Sequence, residues 1–344
     1  MRRLPLTSPE ATRLSARLGG AAAVISAVRL APGALADGAA GQPDGTLLLG
    51  TDTTQPARWG DPATLGRKLG TVPLSLTVVP PVGATRVESG PAGDIIDFYT
   101  LDDRYLVLRE ERPVVLDRCV QKDADCYTWE LYLRDRVRGQ DRLLAASAVP
   151  RPQVLTPFVA TGAGLVAWVE QQDDAHASVH VASPIGPARQ ISVLPERPSS
   201  LSVTAAQVVV GIGRREVARI AEVDVRSGRT SLRPGLLPAA TDGRIASVTS
   251  QAGFNRARAT VTITGRGATS FQVPAEVYGL DWLGQILVVT ASGGLYAHVD
   301  GRPLITLTTR PVVTVSGAAG GGVLTFGEYQ PDDSAYIYAV KATG

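Results

Sequence analysis

The sequence predicts an all-β chain folded as a β-propeller, and three observations predict it. First, Gly164–Leu194 reads as strand, polar turn, strand, Pro/Gly corner, strand, each strand short and rich in β-branched or aromatic residues. Second, variants of that unit recur. A second-strand landmark starts at residues 105, 165, 208, 246, 286 and 322, with gaps of 60, 43, 38, 40 and 36. Four of the five gaps lie near the roughly 40–45 residues of a four-stranded propeller blade. Third, no amphipathic helical period of useful length follows residue 40. The expected architecture is six blades of four antiparallel strands, closed by an N-terminal strand. Seven blades, with a degenerate one from residues 45–90, is the alternative. A two-domain β-sandwich would not repeat so regularly.

Taken in order, the chain divides into three. Residues 1–36 read as a leader outside the fold. Arg2, Arg3, Arg13 and Arg17 precede the apolar run Ala21–Val28, and Ala34-Leu35-Ala36 supplies a small-residue cleavage pattern. Removal close to Ala36 and an extracytoplasmic location, secreted, periplasmic or at the cell surface, are expected from that order. Residues 37–86 are Gly/Pro/Thr-rich and read as a linker that also donates the closing strand, from Thr46–Leu49 or Thr71–Val79. Residues 87–344 are the propeller. The last unit, Pro311–Gly344, has room for about three strands, so a strand from the other end of the chain must complete it and cover its edge.

Within the repeats, the landmark strands are Tyr105–Arg109, Leu165–Val169, Val208–Ile212, Ala246–Ser250, Ile286–Thr290 and Gly322–Phe326. Each is preceded by a shorter strand, such as Ile95–Tyr99 or Val277–Trp282, and followed by a third, such as Trp129–Leu133, Ala221–Val225 or Ala335–Val340. The gap of 60 holds an insertion around Cys119–Cys126. Trp168, Trp282, Phe98 and Tyr278 sit inside strands and are expected to fill the spaces between blades. Trp59, in the linker, has no core to join.

Composition supports a folded, turn-dense chain: 44% hydrophobic residues with 36 Gly and 24 Pro in 344. The net charge is +2. Five arginines against Glu10 give residues 1–36 a net of +4, leaving −2 for the rest. At the level of the sequence there is no basic face of the kind nucleic acid needs. No stretch reaches the roughly 18–20 apolar residues of a membrane span.

The string Gly164–Leu194, together with Gly243–Ala246 and Val223–Arg229, resembles the TolB-type six-bladed propeller repeat over roughly residues 90–344. The Asp-Pro-Trp-Ser-Pro-Asp-Gly hairpin of that family is absent from every blade. The resemblance implies a protein-binding platform, and related propellers stand in front of peptidase domains.

Candidate chemistry is sparse. Cys119 and Cys126 are the only cysteines, and in an exported protein so close a pair in a hairpin insertion reads as a disulfide. Closing that loop stabilises by about 2–3 kcal/mol in the chain-entropy model. His176 and His180 are four apart across a turn-to-strand junction, not on a helix, so they make no metalloprotease pair, and with His298 they read as surface histidines. Asp102-Asp103, Asp173-Asp174 and Asp332-Asp333 fall at turns, where acids cap the backbone. No G-x-S-x-G elbow and no phosphate loop occurs, and Gly317–Gly322 precedes a strand rather than a helix. The expectation is a monomeric, non-catalytic propeller without cofactor or metal, binding a protein, peptide or glycan at the mouth of its channel. A propeller hydrolase or lyase with residues scattered over several blades is the alternative, since such a site leaves no local motif.

Overall fold

The computed structural model describes every residue except 33–35, 53–73, 92–93, 115–125, 148–149, 153–156, 174, 214–217, 252–257, 318–321 and 344. Seven antiparallel sheets form the blades of a propeller, so the alternative blade count is the one adopted. Blade one is Ala36–Gly41, Leu47–Asp52, Leu74–Val79 and Arg86–Glu88. Blades two to six follow in chain order, four strands each, with a two-residue extra strand, Arg151–Pro152, on blade two. Blade seven takes Val312–Gly317, Val323–Tyr329 and Ala335–Ala342 from the end of the chain. Its outer strand is Ala22–Leu30, paired from Ala22 opposite Ala342 to Leu30 opposite Ala335, and Arg2–Arg3 adds a short fifth.

Two expectations are corrected here. The closing strand is N-terminal, but it comes from the segment read as a leader, so Ala22–Leu30 belongs to the fold. Leu47–Asp52 and Leu74–Val79 pair with each other, not with residues 335–341. The physical reason lies in burial. Leu47, Leu48 and Leu49 are buried in succession, which suits an inner strand covered on both faces. Ala22–Leu30 mixes buried and half-buried positions, as an outer strand does.

Between Arg3 and Ala22 the chain forms the helix α1 (Pro9–Leu18). Ser8 Oγ accepts a hydrogen bond from Ala11 N, Pro9 opens the first turn, and Gly19 ends the helix at φ 59°. Ala11, Leu14 and Leu18 bury one stripe, while Arg13 and Arg17 leave it. Of the arginines that resembled the charged start of a signal, Arg13 and Arg17 are on the polar face of this helix, and Arg2 and Arg3 form the short strand beside Ala22–Leu30.

The core is divided among the blade interfaces. Each of the seven has one buried apolar cluster, because a blade can cover its faces only with its neighbours. Val208, Val209 and Val210 are all buried, which explains why the repeats read as continuous apolar runs rather than alternation. Trp168, Trp282 and Phe98 fill interfaces as expected, whereas Tyr278 is 53% exposed. Trp59 lies outside the described residues.

Near the axis the inner strands are stitched together. Thr100 Oγ1 donates to Gly41 O, Thr161 Oγ1 to Thr100 O, Ala240 N to Ser202 Oγ, and Trp282 Nε1 to Ala239 O. A Cβ at Gly41 would lie 2.8 Å from Ala339 Cβ, Thr325 Oγ1 and Val323 Cγ1, so only glycine lets blades seven and one approach this closely.

Candidate functional site at the channel mouth

The first strand of every blade lines the axis, and all seven run in the same direction. Their starting ends therefore gather at one mouth, where the connections from second to third strands also emerge. Six of the seven inner strands break register there, at 36/38, 95/97, 198/200, 236/239, 277/279 and 312/314. Only Phe158–Gly162 of blade three pairs regularly. A bulge adds a residue, leaves it unpaired and re-aims its side chain. Tyr278 is such a residue, which is why it points out to solvent instead of filling an interface. Its hydroxyl lies 3.4 Å from Glu276 Oε2. Phe158, 38% exposed, adds a second aromatic at the same end.

Next to Phe158, on the neighbouring blade two, sits a charged pair. Asp97 on the inner strand of blade two stands opposite Arg109, with Oδ2 2.5 Å from Nη2. Arg109 Nη1 donates to Pro157 O at 3.0 Å, joining blade two to blade three next to Phe158. Glu111 Oε1 lies 3.8 Å from Arg109 Nε and is fully buried. Burial raises the Asp97 carboxyl, while the Arg109 charge and a hydrogen bond with Tyr99 pull it back. Burial likewise raises the Tyr99 hydroxyl, and Asp97 pushes it the same way. For Arg109 burial works against the charge, but Asp97, Tyr99 and Glu111 outweigh it and the guanidinium stays protonated. Asp97 keeps 40% of its side chain open, so the pair faces solvent even though protein surrounds it.

A second acid, Asp281, lies on the inner strand of blade six. Leu280 and Trp282 on either side pack toward blade five, so alternation sends Asp281 toward blade seven. It has no ionic or hydrogen-bonding partner among the described residues, and burial raises its carboxyl to about 7. Neither acid drew attention in the sequence. The signal was present in Ile95-Ile96-Asp97-Phe98 and Gly279-Leu280-Asp281-Trp282: a lone charge inside an otherwise apolar inner strand.

The predicted candidates fall elsewhere. Cys119 lies outside the described residues, and Cys126 begins the strand Cys126–Asp135, opposite Val114 and Pro152. His176 is exposed at a turn, with Nδ1 3.1 Å from Asp173 Oδ1. His180 stacks on Trp168 at 5.2 Å, with Nε2 2.8 Å from the buried Ser178 Oγ. His298 is buried, not superficial, and stacks on Phe271 at 4.2 Å. Asp102, Asp173 and Asp332 cap their own turns by accepting from backbone N–H groups two or three residues on. Asp174 is outside the described residues. No cluster of three metal-ligating side chains occurs among the described residues, and none of their helices is long and apolar enough to cross a membrane.

The geometry thus defines a seven-bladed propeller whose mouth presents aromatic and charged groups. No family model matches the sequence, and no curated protein matches it. Solved structures share the fold. The propeller domain of the Trilobed protease from Pyrococcus furiosus superposes with a TM-score of 0.52 at 14% identity, over 73% of this chain and 83% of that one. A structure from work on two prolyl endopeptidases gives 0.53 at 15% identity, over 97% of this chain and 49% of that one. The AfRom2 CNH domain gives 0.52 at 10%, over 92% and 99%. TolB from Acinetobacter baumannii is also a structural neighbour, at 15% identity and a TM-score of 0.39. The seven sheets themselves show the propeller expected from the sequence, with seven blades and not six.

Proposed function

We propose that the chain is a non-catalytic binding module that takes a protein, peptide or glycan segment at the channel mouth. The observation that carries the reading is the pair of exposed aromatics at one end of the ring, Phe158 of blade three beside the fixed Asp97–Arg109 ion pair of blade two, and Tyr278 of blade six. Aromatic and arginine side chains are the groups that dominate recognition sites, because they combine large contact area with little entropy to lose. Arg109, tied to Asp97 and Pro157 O, holds the half-open Asp97 carboxylate in place as a preorganised acceptor. Arrays of peptides and of oligosaccharides, probed with the full chain, identify the ligand class. Phe158→Ala and Tyr278→Ala should each weaken capture by about tenfold or more. Unchanged capture by the double variant would remove the reading.

A second reading, a propeller enzyme, draws on Asp281, a carboxyl able to exchange a proton near neutrality. It predicts turnover of some captured ligand that Asp281→Asn abolishes while binding persists. An extracytoplasmic location, expected from the order of residues 1–36, stays in the proposal without cleavage near Ala36, because Ala22–Leu30 pairs with Ala335–Ala342 in the fold. The Cys119–Cys126 bond is part of the same proposal, and unreduced peptide mapping should show the two-hydrogen deficit.

A further inference from the structure

At the end of the ring away from the mouth, the turns joining third to fourth strands of blades one, two and three each carry a lone, exposed aliphatic side chain. Val82 is 86% exposed, Val137 77% and Ile185 94%. Two of the turns share a sequence, Pro81-Val82-Gly83 and Pro184-Ile185-Gly186. Each is clamped by an arginine from the preceding blade. Arg3 of blade seven donates to Pro81 O and Gly83 O, both at 3.0 Å. Arg142 of blade two donates to Ser183 O at 2.6 Å and Gly186 O at 2.5 Å. The Val137 turn is held differently, by Asp135 Oδ1 accepting from Val137 N and Arg138 N. All three tips are therefore rigid, although their side chains touch water.

Charge gathers along the same arc. Segments 80–88, 135–146, 183–194 and 224–234, which are these turns and the outer strands of blades one to four, hold eight arginines against Glu88, Asp135, Asp141 and Asp224, a net of +4. The whole chain carries only +2, so everything else sums to −2. Arg86 and Arg138 are 59% and 67% exposed, and Arg226 and Arg229 are exposed beside them.

We infer that this end of blades one to three docks on an anionic lipid bilayer, the three aliphatic tips entering the headgroup region and the surrounding arginines holding lipid phosphates or carboxylates. Three separate convex tips in adjacent blades fit a medium that closes around each of them. A protein partner is better served by one contiguous patch with a pocketed centre. Nucleic acid would use the arginines but gain nothing from protruding valine and isoleucine. Basic side chains beside exposed apolar groups are the combination that binds an anionic membrane surface. The inference concerns the end of the ring opposite the mouth and does not rest on the binding reading above.

Sedimentation of the full chain with vesicles tests it, using phosphatidylcholine alone and phosphatidylcholine with about one third phosphatidylserine. The full chain should bind the anionic vesicles and be released as salt rises toward ~0.5 M. A triple variant, Val82→Ser, Val137→Ser and Ile185→Ser, should bind at least about tenfold more weakly at an unchanged melting temperature, since the three side chains are exposed. A charge variant, Arg138→Glu with Arg226→Glu, should lose binding while keeping every tip and both arginine clamps. Failure to bind anionic vesicles, equal binding to phosphatidylcholine alone, or full binding by the triple variant would overturn the inference. Retention on polyglutamate or duplex DNA in place of vesicles would overturn it as well.

Discussion

The interface between blades six and seven and the interface between blades four and five close equivalent gaps with unequal material. At the first, sixteen described residues are buried in one cluster, and α1 and Ala22–Leu30 supply six of them, including Leu14, Leu18 and Val24. Arg17 adds a hydrogen bond from Nη1 to Leu307 O at 2.6 Å. At the second, the cluster is Val209, Ile220, Ala240 and Ile245, and polar contacts take up the rest. Ser202 Oγ accepts from Ala240 N, and Arg233, paired with Glu222, reaches Ser247 Oγ. Both pairs of blades are joined directly by the chain, through Gly235 and through residues 309–311, so that link does not separate them. What separates them is the origin of blade seven's outer strand. Blade seven must recover an outer strand from the far end of the sequence, and the entropy of that long-range closure has to be offset by apolar burial.

Removing residues 1–30 should break the comparison outright. Blade seven would lose its outer strand and the interface its helix, leaving the Ala335–Ala342 edge unpaired. We expect aggregation or failure to fold, read by size-exclusion chromatography. Processing near Ala36 should have the same consequence, so intact-mass measurement of protein from its host should find Ala22–Leu30 present.

Within the closing interface, Leu18→Ala removes a side chain that is 1% exposed and should cost about 2–5 kcal/mol. Denaturant titration measures it. At the thinner interface, Ser202→Ala leaves the buried Ala240 N–H without its acceptor and should cost about 1–3 kcal/mol. If the Ser202 variant proved the more damaging, polar stitching rather than apolar burial would be holding the ring.

The smallest effect concerns Asp281. Its carboxyl is raised in the folded chain, so the native state binds the proton more tightly than the unfolded chain does. Stability from this group is therefore greatest below its ordinary value of 3.8 and falls as pH rises toward about 7. Asp281→Asn should raise the melting temperature at pH above neutrality, by less in mild acid, and leave it unchanged below the ordinary carboxyl value of 3.8. An equal shift at both ends of that range would show that the side chain acts by shape and not by charge.

Much of the site escaped the sequence for reasons visible at particular residues. Asp97 and Arg109 are twelve positions apart, and only the antiparallel register sets them opposite each other. Tyr278 sits in the same kind of strand as Trp282, and only the bulge at 277/279 turns it outward. The basic arc is invisible in a net charge of +2, because its arginines come from four separate segments that the ring brings to one side.

The sequence by itself determined the class of fold and most of its strands. The landmark runs at 105, 165, 208, 246, 286 and 322 all belong to second strands, since strand identity rests on local β-branched runs and turns that neighbours in the chain can specify. The tertiary structure alone decided the seventh blade and the pairing of Ala22–Leu30 with Ala335–Ala342. Arginines before a short apolar run suit both an export signal and a helix followed by an edge strand. The local chemistry of the two is the same. What separates them is whether Ala335–Ala342 offers that run a sheet edge, and that partner lies some three hundred residues away.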